Sequence, residues 1–149
     1  MNIGLSYPLK PAEILLVDDN PGDVRLAIEA LKDSRILNKV HTVTDGVEAM
    51  AFLRNQGRYA GAPRPDLVLL DLNMPRKDGR ETLAEIKQDE NLKCIPVIVL
   101  TVSNVEEDIF KAYNLHANCY ITKPIDLDQF VKVVNSVENF WFSIVRLPQ

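Results

Sequence analysis

Cysteine is scarce: Cys94 and Cys119 are the two in 149 residues. They stand far apart with no CxxC pairing, which makes them poor metal ligands on spacing and poor evidence for a disulfide, a Cys94–Cys119 pairing being the lesser alternative. Both lie in apolar contexts and are expected as reduced thiols in or near a core, in a cytoplasmic protein. Long apolar runs are missing too; none approaches the roughly 18 residues that would cross a bilayer. The start, MNIGLSYPLKP, lacks a charged end followed by an apolar stretch, so it does not read as a signal peptide. There is no excess of positive charge. Lysine and arginine number 17 against 21 aspartates and glutamates, giving a net charge of −4 and a pI near 5.2. That balance argues against a general nucleic-acid binder, which would carry a basic face. Internal repeats and low-complexity tracts are absent. What remains is 46% apolar and 26% charged, the balance of a soluble globular chain. Its length suits one domain, burying roughly 70% of its unfolded surface and needing no metal merely to fold.

Short apolar runs alternate with helical stripes. Ile14 to Val17 reads as a buried strand ending in acids. A helix follows from Pro21, capped by Asn20, with Val24, Ala27, Ile28 and Leu31 on one face. Val40 to Thr44 is a half-polar strand nearer an edge. A second helix starts near Asp45, with Ala49, Met50 and Leu53 inward. Gln56 to Pro65, with its glycines and prolines, is a loop. Leu67 to Leu70 is a third strand ending at Asp71. A turn over Met74 to Asp78 leads to a helix opened by Gly79, with Leu83 and Ile86 buried. Ile95 to Leu100 is the fourth strand, and Asn104 caps a helix with Val105, Ile109 and Ala112 inward. Asn118 to Ile121 is the fifth strand, and the last helix runs from about Asp126 past Phe142. Five βα units with continuous apolar strands predict an α/β fold: a doubly wound five-stranded parallel sheet in the order 2-1-3-4-5. The site of such a sheet lies at the carboxyl ends of its strands, beside the switch point.

Polar groups gather at that edge. The first strand ends in Asp18 and Asp19, the third in Asp71, the fourth in Thr101, and the fifth runs into Lys123 and Pro124. Each alone reads as a cap, a turn residue or a solvated side chain; together, on successive strands, they read as a site. Close carboxylates repel unless a cation joins them, and hard oxygen donors in a wet cup favour Mg2+. Asp19 and Asp71, with a backbone carbonyl from the loop after Asp71, supply the protein share. A cation, a hydroxyl and a metal around one carboxylate suit phosphoryl transfer, with Asp71 the best nucleophile.

The segments LLVDDN, LLDLNMPRKDG, VIVLT and YITKP, in this order, resemble the receiver domain of two-component response regulators. The resemblance implies the flavodoxin-like receiver fold over residues 13–142, between a lead-in of residues 1–12 and a tail of residues 143–149. It implies that Asp71 is the phosphoacceptor. Asp19 would be a direct metal ligand, Asp18 would act largely through water, and the Asn73 backbone carbonyl would be the third protein ligand. Thr101 and Lys123 would bind the phosphoryl group, the Lys123–Pro124 bond would be a cis peptide, and Tyr120 would be the aromatic switch. Asn73, Val102 and Ser103 would tune the phosphorylated lifetime; Val102 departs from the small residue frequent in the family. The long loop RNQGRYAGAPRPDL, the segment LHANCYITK and the ending ENFWFSIVRLP further resemble the small stand-alone receivers that partner bacterial, cyanobacterial-type phytochrome histidine kinases. In that subgroup the lysine is often not followed by proline, and Pro124 departs from it.

The reading is a phosphorylation switch, not an enzyme beyond catalysing its own phosphorylation and dephosphorylation. Its partners are a sensor histidine kinase, with a phytochrome as the candidate, and a downstream protein or phosphotransfer partner, with no nucleic acid and no membrane. No effector domain is expected after the last helix. That helix carries one apolar stripe through Leu127, Phe130, Val134, Val137 and Trp141 and another through Val133, Val137, Phe140 and Ile144. The second predicts a homodimer through Phe140, Trp141 and Ile144; its alternative is folding back on the same monomer. His41 and His116 read as ordinary surface or rim residues. Arg76, Lys77 and Arg80 form a small basic cluster, either a solvated loop or a kinase contact. Two other classes use similar parts. A hydrolase of the haloacid-dehalogenase type needs a second acid two residues after its nucleophile, where this chain has Asn73. A flavin or nucleotide binder needs a phosphate-cradling loop where this chain has Asp18-Asp19-Asn20-Pro21.

Overall fold

The structure, a computed structural model, describes residues 11–33, 37–72, 74, 77–101, 117, 119–123, 126 and 128–133. Five strands form one parallel sheet: β1 (Ala12–Val17), β2 (Asn38–Val43), β3 (Leu67–Asp71), β4 (Val97–Thr101) and β5 (Cys119–Thr122), in the order β2-β1-β3-β4-β5. This is the expected doubly wound order. β1 and β3 are neighbours, with Val17 opposite Leu70, so the chain reverses direction across the sheet beside the ends of these two strands.

The apolar runs are continuous because both sheet faces are covered, and the two-residue period of a strand sorts them. Leu15, Val17, Val68, Leu70, Val97 and Val99 point to one side, where they pack with α2 (Gly46–Leu53) and α3 (Gly79–Gln88). Ile14, Leu16, Leu67, Leu69, Ile98 and Leu100 point to the other, with α1 (Pro21–Lys32) and Phe130 of the helical residues 128–133.

Three helices start on side-chain caps that accept a backbone N–H. Asn20 accepts from Asp23, Asp45 from Glu48 and Asp78 from Glu81, each at about 3 Å. Asp126 accepts from Gln129 in the same way, where the last helix is expected to begin. The half-polar β2 is an edge strand, as its composition predicts. It starts at Asn38 rather than Val40 and ends at Val43 rather than Thr44. Ala12 donates to the Leu37 carbonyl and Asn38 pairs with Ala12, which recruits two polar residues into the ladder. β4 begins at Val97 instead of Ile95: Pro96 has no N–H to give, though its carbonyl accepts from Val68. β5 is shifted by one residue from the expected 118–121. The expected loop after α2 contains a single 3-10 turn, Gly57–Tyr59.

Cys94 corrects the expectation of a core thiol, being exposed in the turns between α3 and β4. Its neighbour Ile95 takes the inward position instead. The expected helix after Asn104 and the apolar stripes beyond Val133 lie outside the described residues.

Candidate functional site

The acids at the ends of β1 and β3 converge. One carboxylate oxygen from each of Asp18, Asp19 and Asp71 lies within 4.8 Å of the others. Asp18 and Asp71 are buried, whereas Asp19 faces solvent. β1 and β3 are adjacent and parallel, so their last residues arrive at one level of the sheet. Asp18 is fixed by its neighbours: its backbone N–H donates to the Val43 carbonyl at 3.1 Å, and its Oδ1 accepts from Asn20 N–H at 3.0 Å.

The backbone beneath Asp71 is pinned by a glycine. Gly79 N–H donates to the Leu72 carbonyl at 3.1 Å. A Cβ at Gly79 would stand 2.3 Å from the Asp71 carbonyl oxygen and 2.6 Å from Leu72 Cα, so only glycine permits α3 to start this close to the end of β3.

Lys123, the residue after β5, reaches across this edge. Its Nζ lies 3.1 Å from Asp18 Oδ2 and 3.4 Å from Asp71 Oδ1. The shortest contact, 2.7 Å, is to Asp23 Oδ2 in the first turn of α1. Burial alone lowers the affinity of this ammonium for its proton. The Asp23 hydrogen bond and the nearby charges of Asp71 and Asp18 outweigh burial and hold Lys123 above the ordinary lysine value.

The sequence reading thus locates Asp18, Asp19, Asp71 and Lys123, and the structure brings these four together. It missed Asp23. Asp23 follows the Asn20 cap by three residues and in the sequence is an ordinary first-turn acid at the positive end of α1, which gives no sign of the lysine it meets. Thr101 is the last residue of β4 and Tyr120 lies within β5, but their side chains are outside the description. Asn73, Val102, Ser103, Pro124, Phe140, Trp141 and Ile144 lie outside the described residues.

The other singled-out groups lie elsewhere. His41 sits opposite Leu15 in mid-strand; its Nε2 is 2.7 Å from Glu13 Oε1 and its ring packs on Phe52. Lys77 pairs with Glu85, which also takes Arg54 at 2.6 Å, and Arg80 stands 4.0 Å from Asp78. Two cations of the expected basic cluster therefore have acidic neighbours within the chain.

Hard carboxylate oxygens, one of them open to water, fit a divalent ion. Among the described residues of this edge, four carboxylates face one ammonium. The surplus of negative charge makes room for a second cation.

The response regulator receiver domain family matches residues 14–135. The chain belongs to this family. The response regulator Rcp1 of Synechocystis is 53% identical over 138 residues, covering 93% of this chain and 94% of its own length. A crystal structure of the phosphorylated cyanobacterial phytochrome response regulator RcpA is 56% identical with a TM-score of 0.78, covering 94% of this chain and all of its own. The Mn2+-bound form of Rcp1 is 52% identical with a TM-score of 0.75, over 91% of this chain and 97% of that one. The receiver domain is a signalling module of two-component systems, and the acid cluster of this receiver is one that can hold a metal ion. No helix among the described residues is long and apolar enough to cross a membrane.

Proposed function

We propose that this receiver takes a phosphoryl group from a sensor histidine kinase onto Asp71. The supporting observation is the meeting of Asp18, Asp19 and Asp71 within 4.8 Å, with Lys123 Nζ 3.4 Å from Asp71. An Asp71 oxygen attacks phosphorus, the P–N bond to the kinase histidine breaks with its electron pair going to nitrogen, and the imidazole, protonated on its other nitrogen, leaves as its neutral form. The product is an acyl phosphate, which water later cleaves to carboxylate and inorganic phosphate.

Each residue has a separate task. Asp71 supplies the nucleophilic oxygen at the end of a rigid central strand. Asp19, Asp71 and the Asn73 carbonyl would hold Mg2+, with Asp18 acting through water, and the ion would supply fixed positive charge toward the phosphoryl oxygens. Lys123 pairs with Asp71 at rest and with the phosphoryl group after transfer. Thr101 donates its hydroxyl to the same group, and Tyr120 turns inward as Thr101 moves, a population shift between two packings. Asn73, Val102 and Ser103 set access for the hydrolytic water and so the lifetime of the signal.

The relation to Rcp1 and RcpA supports a phytochrome as the kinase partner. The output is an altered protein contact or a further phosphotransfer, in the cytoplasm. Residues 13–142 form the receiver, and a homodimer forms through Phe140, Trp141 and Ile144 near the tail. Sedimentation of Phe140→Asp beside wild type tests the dimer, and identical monomer-sized boundaries for both refute it.

The deciding experiment for phosphorylation is incubation with acetyl phosphate and Mg2+ followed by intact mass. Wild type gains one phosphoryl group and Asp71→Asn gains none. Equal incorporation in both removes Asp71 from its assigned role.

A further inference from the structure

A carboxylate outside the metal-binding group sets where Lys123 rests. Of the three distances from its Nζ, 2.7 Å to Asp23, 3.1 Å to Asp18 and 3.4 Å to Asp71, only the last exceeds the usual hydrogen-bond range of about 3.2 Å. Asp23 is itself held, since its backbone N–H donates to the Asn20 side chain at the start of α1. The Lys123 side chain is 9% exposed and that of Asp23 22%, so water competes weakly for their contact.

We propose that Asp23 is a positioning residue, which draws the Lys123 ammonium toward α1 and away from Asp71. The inference rests on the reading of Asp71 as phosphoacceptor. It has two consequences of opposite sign. At rest, an ammonium drawn to Asp23 opposes a second cation among Asp18, Asp19 and Asp71 less than one drawn fully onto them. After transfer, Asp23 and the phosphoryl oxygens compete for the same three ammonium protons. Without the Asp23 charge, the ammonium settles on Asp18 and Asp71. A divalent cation then binds more weakly, and a phosphoryl group on Asp71 is held longer. Damage to the fold would weaken both, so the opposed directions separate positioning from a structural role.

The test uses the full chain as wild type, Asp23→Asn and Asp23→Glu. Calorimetric titration reads the affinity for Mn2+ alone. Decay of the phosphorylated form, after loading with acetyl phosphate and Mg2+, reads its lifetime. Asp23→Asn is expected to bind Mn2+ about fivefold more weakly and to hold its phosphoryl group about fivefold longer, the size of one partly exposed ion pair. Asp23→Glu stays near wild type in both. In a Lys123→Met background, Asp23→Asn changes Mn2+ affinity by less than about twofold, since its influence runs through the lysine. An equal loss with and without Lys123, or an Asp23→Asn chain unchanged or weakened in both readouts, overturns the proposal. If wild type takes no phosphoryl group, the phosphoacceptor reading fails while the Mn2+ arm still decides the role of Asp23.

Discussion

Gly79 stands against the backbone of Asp71, so that a methyl group added to it would meet the Asp71 carbonyl oxygen at 2.3 Å. No flexible side chain is available to yield there; the obstacles are the carbonyl of Asp71 and the Cα of Leu72. Gly79→Ala must therefore push α3 away from the end of β3. We expect a loss of about 1–3 kcal/mol in urea unfolding, the usual cost of overpacking. Phosphorylation by acetyl phosphate should slow as well, because Asp71 shares the displaced backbone.

Removing the ammonium that faces the acid cluster should have a cation-dependent result. Lys123→Met leaves Asp18 and Asp71, both buried, without their shared partner. Losing one side of such a pair costs about 3 kcal/mol, less where water reaches the group left behind. Mn2+ can replace the missing charge. Thermal unfolding with and without Mn2+ should show a low midpoint for the variant alone and a larger rise on adding the ion than wild type gives.

Acid should remove one tie between α2 and α3. The Lys77 hydrogen bond, opposed by burial and joined by Arg54, holds the Glu85 carboxyl below the ordinary glutamate value of 4.5. A depressed folded value means stability present above 4.5 and lost as pH falls through the folded value. Glu85→Gln should cost about 0.5–1 kcal/mol at pH 7, the range of a partly exposed pair. The gap between variant and wild type should close at lower pH, as read by urea unfolding at several pH values.

Phe130 is fully buried in the cluster beneath α1, although it belongs to the last helix of the described chain. Phe130→Ala should cost about 3–5 kcal/mol, the range for emptying an aromatic site in a core. Hydrogen exchange should show the loss concentrated in residues 128–133 and the sheet face they cover, where a fully solvated helix would show no change.

The apolar strands announced the sheet because each is buried on both sides, and its order followed from right-handed crossovers. Asp18, Asp19 and Asp71 were legible because residues that end adjacent parallel strands must meet. Lys123 was legible because it follows a strand of the same parallel sheet, so it stands at the same edge, and its length carries the ammonium across β4 to the acids. Asp23 was not, because its role depends on the reach of a lysine one hundred residues away, and its own neighbourhood is satisfied by a helix-cap explanation. Cys94 was misread because hydropathy averages over neighbours, whereas an irregular turn can face Ile95 inward and Cys94 outward. The early start of β2 depended on a pairing with Ala12 that polar Asn38 and Lys39 do not advertise.

Leu69 and Leu70 are consecutive in the chain, yet they belong to separate compartments divided by the sheet. Shaving one of them opens a void that the other's neighbours cannot fill. Leu70 and Val99, far apart in sequence, are opposite each other in register and line the same compartment. Damage in this molecule is therefore insulated across the width of a single peptide layer, while it spreads freely along either flank.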